Sequence, residues 1–251
     1  MLRRPPLLIA AVLICTIMCS PAFATEMTES ESRAVEILGP GKVLGYRDVC
    51  RVQKAKLPDV EPTMSFSEDV LRECAKANAE GTANWRLAYV TGHSLRQEYE
   101  VMGWNRKKQP CFDPDLTWWL DKAQDSWATR TIKPGYRLLD FTKRFPSVSK
   151  GWQAQSDEIA KLGPNYERAE EQAVTEVCFS NFLLSPNKER LLPNWYHWGK
   201  LQTADGFYVY VGSLLEDGFF VWFFNPLGYQ VNFHWFDYSH DALGVVLARK
   251  P

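Results

Sequence analysis

Apolar residues recur at helical spacing through the first two-thirds of the chain. Ser65, with Glu68 three residues on, has the form of a capping box, and Val70, Leu71, Cys74, Ala75 and Ala77 follow on one face of the helix it would start. Residues 84–91 alternate Trp85, Leu87 and Tyr89, which predicts a strand. Asp113 before Pro114 predicts a helix start, a capping carboxylate followed by proline at the first position, and Leu116, Trp119, Leu120, Ala123 and Trp127 then form one apolar stripe. Lys133-Pro134-Gly135 is a turn signal. A helix over residues 152–162 stops near Gly163-Pro164, and a longer one is predicted from about 164 to 184. Its Ala169, Ala173, Val174, Val177 and Cys178 would face the core, with Glu167, Glu170 and Glu171 enriching its first half.

From about residue 195 the pattern changes to alternation between turns. Asp205-Gly206 and Asp217-Gly218 are two-residue hairpin signals, because these residues tolerate the positive backbone angles such turns need. Asn225-Pro226-Leu227-Gly228 is a third turn, and residues 243–249 add a fifth strand. The predicted fold class is α+β: a helical N-terminal part, residues 25–194, packed on a C-terminal antiparallel β-meander of about five strands, residues 195–251, within one domain.

Those turns set a register, and the register sorts side chains into two faces. Phe207, Val209, Val211, Leu215, Phe220, Trp222, Phe224, Tyr229, Val231, Phe233 and Trp235 make a nearly all-apolar face, which reads as core. The other face collects His197, Leu201, Thr203, Tyr208, Tyr210, Phe219, Val221, Phe223, Gln230, Asn232 and His234. A sheet with apolar residues on both faces is usually covered by helices, so this second face is expected to lie under the helical part. Wherever it stays open, it is a binding surface.

Residues 1–24 carry the marks of a secretory signal peptide: Arg3 and Arg4, an apolar run over residues 7–18, and Ala22-Phe23-Ala24 as a cleavage pattern. No second run is long enough to span a membrane, so the mature protein is expected not to, and its expected location is periplasmic or secreted. Cleavage removes two of 29 basic residues and none of 30 acids, which takes the net charge from -1 to -3. Such a balance argues against nucleic acid as a partner. It also removes Cys15 and Cys19. The remaining Cys50, Cys74, Cys111 and Cys178 read as two disulfides, with Cys50–Cys74 and Cys111–Cys178 the favoured pairing of three possible ones.

Catalytic motifs fare poorly. His234, Asp237, His240 and Asp241 cluster in sequence, but the strand ends near Tyr238 and nothing makes them converge, so no metal is implied. Gly92-His93-Ser94 lacks a nucleophile elbow. Ser-x-x-Lys occurs at Ser147 and at Ser185, without Lys-Thr-Gly, at the frequency chance allows. No phosphate loop or dinucleotide fingerprint is present, and no cofactor is implied. The aromatics remain: 16 of the 34 Trp, Tyr and Phe residues lie between Trp195 and Tyr238. The expected function is therefore an exported, non-catalytic binding protein, of inhibitor or immunity type, whose partner is a protein or an envelope component. Tyr208, Tyr210, Asn232, His234 and Trp198 are its candidate contacts. Two alternatives stand beside it. One is a cell-envelope hydrolase using His197 or His234 with Glu216, which the register places in the same cross-strand row as His234, flanking Phe219. The other is a glycan-binding module using Tyr208 and Tyr210.

Overall fold

A computed structural model describes residues 27–142, 151–203, 205–215, 218–224 and 243–251. Thr28 starts α1 (Glu29–Leu38) through a reciprocal capping box with Glu31. That carboxylate does more than cap. Its Oε2 accepts from Thr28 N–H at 2.9 Å, while Oε1 accepts from Tyr46 N–H at 2.8 Å and from the Tyr136 hydroxyl at 2.7 Å. Glu31 is 1% exposed, so each of these bonds replaces water that the group has lost. Glu31→Ala is expected to destabilise the protein by about 3 kcal/mol and Tyr136→Phe by only about 1 kcal/mol, measured by urea denaturation. Equal losses from the two would show that the carboxylate is not the hub.

β1 (Val43–Leu44) and α2 (Tyr46–Val52) follow, then α3 (Glu68–Ala79). The cap of α3 is Ser67, two residues later than the sequence pattern suggests, and its hydroxyl accepts from Val70 N–H. β2 (Trp85–Val90) falls where the alternation predicts it, and every residue in it is buried. α4 (Leu95–Met102) opens with a second capping box, Ser94 with Gln97.

The helix predicted after Asp113 does not form as one piece. Two 3-10 turns, Trp118–Leu120 and Lys122–Gln124, lead into a short α5 (Asp125–Ala128). Asp121 interrupts the run: its backbone is extended and its carboxylate accepts from Ala123 N–H, a local bond that competes with the helical one. Asp113 turns its own carboxylate to Asp115 N–H at 2.8 Å instead of capping a helix.

β3 (Gly135–Asp140), α6 (Trp152–Lys161), β4 (Tyr166–Arg168) and α7 (Glu171–Leu184) come next. The long helix expected from residue 164 is thus a strand followed by a shorter helix. The last elements are β5 (Tyr196–Gln202), β6 (Tyr208–Leu215), β7 (Gly218–Phe224), β8 (Leu243–Gly244) and β9 (Leu247–Arg249).

The architecture is α+β with two mixed, mainly antiparallel sheets. The first has the order β1-β2-β3-β9-β4 and the second β7-β6-β5-β8. β5, β6 and β7 form an antiparallel meander, as expected. Two things differ. The part read as helical supplies four of the five strands of the first sheet. The fifth expected meander strand splits in two: β8 pairs parallel with β5, and β9 enters the first sheet between β3 and β4.

α7 packs against both sheets, and residues 171–182 are all buried. A helix buried all round has no solvent face to receive its polar side chains. Glu171, Gln172, Thr175, Glu176, Ser180 and Asn181 must therefore all find partners inside the protein.

Candidate functional site

The second sheet carries the residues singled out by sequence, but its register is not the expected one. Thr203 N–H donates to Phe207 O at 2.8 Å, so the first turn spans one residue more than a two-residue Asp205-Gly206 hairpin. A bulge between Trp198 and Gln202 shifts the pairing again, leaving His197 opposite Val211 and Trp198 opposite Tyr210. In the next hairpin Leu215 pairs with Gly218, and a second irregularity places Val211 opposite Val221 and Gly212 opposite Phe220. The faces re-sort accordingly. His197, Val209, Val211 and Val221 share one face, wholly buried, with Phe219 packed 5.1 Å from Phe179 of α7. Tyr196, Trp198, Tyr208, Tyr210 and Phe220 share the other.

His197 is therefore removed from the polar-aromatic face and placed in the core. Its Nδ1 accepts from Val246 N–H at 2.9 Å, so Nε2 carries the hydrogen and donates to Ala169 O at 3.1 Å. Burial, with the Arg168 charge beside it, pulls its pKa down to about 3. A neutral imidazole with both nitrogens bonded to backbone joins β5 to the segments before α7 and before β9. It has no nitrogen left for a substrate.

α6 covers the β5 side of the aromatic face. Trp152 stacks on Tyr208 with ring centres 4.2 Å apart and planes 11° from parallel. Its indole N–H donates to Gly199 O at 2.8 Å. On the Trp152 ring lies the Arg168 guanidinium, 4.7 Å from its centre. Arg168 is itself buried and bonds to Gln155 Oε1, Trp198 O, Trp152 O and Ser156 Oγ. Trp198 is 2% exposed under this cover, and Tyr196 is also buried. Tyr208, Tyr210 and Phe220 remain half-buried. Tyr196 meets Tyr210 edge-on at 5.3 Å and Phe220 at 6.0 Å, so the part of the face that the other described residues leave half-buried is a braced aromatic patch.

The remaining predicted site residues have two fates. Glu216, Asn232 and His234 lie outside the described residues, as do the third turn and His240. Cys50, Cys74, Cys111 and Cys178 are described, and they correct the sequence reading: no disulfide is formed, and all four are free and buried. They sit in different elements, in α2, in α3, in the stretch that meets β7, and in α7. Each fills space as a small apolar side chain. Burial pushes the Cys50 thiol up to about 11 and the Cys74 thiol up to about 12.

A second constellation escaped the sequence reading. Glu98 of α4 and Glu176 of α7 are both fully buried. The Gln53 side chain, oriented so that both its ends are satisfied, donates to Glu98 Oε2 at 3.2 Å and accepts from Ser180 Oγ at 3.0 Å. His93 Nδ1 stands 3.3 Å from Glu98 Oε1. Thr91 N–H donates to Glu176 Oε1 and the Thr91 side chain acts on the same carboxylate, while Glu176 Oε2 has no hydrogen-bond partner among the described residues. Loss of hydration pushes each carboxyl up to about 8, and for Glu176 the nearby Glu98 adds to the effect. The sequence did hold a signal: Glu176 is a lone acid in the otherwise uncharged helical run Ala173-Val174-Thr175-Glu176-Val177-Cys178-Phe179. Among the described residues no group of three or more His, Cys, Asp or Glu is placed to hold a metal ion.

Comparison with known families, curated proteins and solved structures returns no match.

Proposed function

We propose that this is an exported, non-catalytic binding protein of inhibitor or immunity type, acting on an envelope or extracellular protein in the periplasm or outside the cell. The observation that supports this reading is the half-buried set Tyr208, Tyr210 and Phe220. These rings lie on a sheet backed by α7 and are held by Tyr196 and Trp152, so they can be buried by a partner at little cost in side-chain entropy. The address rests on the leader-like residues 1–24, and no described helix is long and apolar enough to cross a membrane. The hydrolase reading is weaker for the loss of His197 to the core. The glycan-binding reading is weaker because one face of Tyr208 is taken by Trp152.

The test is capture from an envelope extract by residues 25–251, wild type against Tyr210→Ala and Tyr208→Ala. The expected result is a partner retained by the wild type at several salt concentrations. Tyr210→Ala should lose it at least tenfold while its melting temperature stays within a few degrees, since truncating an interface anchor costs on the order of 2 kcal/mol in binding. A partner held equally by all three proteins removes the aromatic patch from the interface.

A further inference from the structure

We propose that Glu98 and Glu176 form a proton-operated latch between α4 and α7, closed while the pair keeps a proton and released when both carboxyls ionise. The geometry of the pair carries this inference, which stands independently of the aromatic patch. Two carboxyls from two packed helices are buried within one cluster, joined by Gln53 and by the turn that carries Thr91 and His93, with too few donors for two charges. Glu176 is reached only from Thr91, by its backbone N–H and its side chain, with Oε2 left without a hydrogen-bond partner among the described residues, and Glu98 has the Gln53 amide and the His93 ring.

The groups around the pair offer little positive charge. α2 contributes Cys50 and Gln53, and β2 contributes Tyr89, whose hydroxyl is pushed up to about 12 by burial. The turn after β2 contributes Thr91 and His93, and α7 contributes Ser180. No lysine or arginine among the described residues acts on either carboxyl. His93 is the one group here able to become a cation, and its side chain is 17% exposed. When protonated it balances one carboxylate. Nothing balances the second, and two like charges in a low-dielectric interior repel strongly. A proton kept on either carboxyl removes the conflict, so the closed state binds more protons than the open one.

The turn that carries His93 is fixed in place at Gly92, whose φ is +88° and whose added Cβ would lie 2.4 Å from Ile132 O, and Ile132 N–H donates back to Gly92 O at 3.2 Å, so its backbone does not follow the second charge. Repulsion is relieved instead by separating α4 from α7. α4 carries Tyr99, which meets Phe112 at 5.9 Å and Trp119 at 5.7 Å. Beyond α4, Phe112 N–H donates to Gly103 O, and Phe219 N–H of β7 donates to Cys111 O, both at 2.8 Å. Release of the latch therefore loosens an aromatic cluster and the segment that borders β7.

The sign follows from linkage. Both carboxyls titrate near 8 in the folded state against an ordinary 4.5, so the latch is fully set below about pH 4.5 and its contribution is lost as pH rises through about 8. Glu171, raised to about 7, and Asp140, raised to about 6, titrate in the same range, so the readout must be local. Hydrogen exchange over α4, expressed as protection factors to remove the chemical pH dependence, supplies it, with α1 as the internal reference. In the wild type, α4 protection is expected to fall at least tenfold between pH 6 and pH 9 while α1 changes less than threefold. In Glu98→Gln and Glu176→Gln the fall over α4 should shrink to threefold or less. Constant α4 protection in the wild type overturns the proposal, whether or not the variants fold. So does a tenfold fall that persists in a folded variant.

Discussion

Replacing Arg168 by methionine is expected to lower the stability of the protein by about 3–5 kcal/mol, the range found when one partner of a buried charged network is removed. For a chain of this size that corresponds to a fall in melting temperature of about 10 °C or more. The physical reason is the number of groups a single guanidinium satisfies. Arg168 is 4% exposed and supplies donors to Gln155 Oε1, Trp198 O, Trp152 O and Ser156 Oγ while its plane rests on Trp152. Burial pulls its own pKa down only to about 10, so it stays charged at neutral pH. Methionine fills similar space but leaves those acceptors dry, and it leaves the buried Glu171 without the cation that acts on it. Arg168→Lys should recover less than half of the loss, because an ammonium cannot reproduce a planar set of donors. The check is chemical denaturation followed by Trp fluorescence, since Trp152 and Trp198 both touch the network. A loss under 1 kcal/mol for Arg168→Met would sink the account of how α6 is held.

A second substitution acts at the other end of the same region. Gly199 has no room for a side chain: a Cβ there would lie 1.9 Å from Glu171 Cδ and 2.2 Å from its Oε1. A flexible carboxylate could normally move aside. This one is held at 1% exposure by the N–H of Leu201, at 2.6 Å, and by the backbone of Lys200. The bulge in β5 turns those donors away from the strand ladder, and Glu171 receives them. Gly199→Ala therefore displaces an acceptor as well as creating a clash, and a loss of about 3 kcal/mol or more is expected. The decisive comparison is a double-mutant cycle by urea denaturation. With Glu171→Ala in place the clash has no second partner, so the double variant should be no less stable than Glu171→Ala alone. Additive losses would mean that Gly199 matters for some reason other than Glu171.

These two sites mark the boundary of what the sequence could reveal. α6 and the end of α7 were readable because periodicity over ten or more residues is a strong signal. The β5–β7 meander was readable from its aromatic alternation and turns. The register was not, because each bulge inserts a residue without a distinctive motif and moves His197 from one face to the other. The first sheet was hidden for a different reason. β1, β4 and β9 are two or three residues long, too short for any period, and their pairing is decided by tertiary contacts. Tyr208 and Tyr210 share one face, and the bulge puts Trp198, rather than His197, on it with them. The acid pair was invisible as a pair, since nothing in the sequence says that the inner faces of α4 and α7 meet.

The place of β9 sets an order on how the molecule can be made. It is the latest of the described strands, yet it lies inside the first sheet, bonded to β3 on one side and β4 on the other. As the chain emerges from the ribosome, β3 and β4 have no neighbour to bond with across the gap until residues 247–249 arrive. One flank of α7 then has no finished wall to pack on. Assembly of this sheet is in this sense a closing step, made only once the strand that follows all the other described ones has arrived, rather than a progressive growth from the N-terminal side.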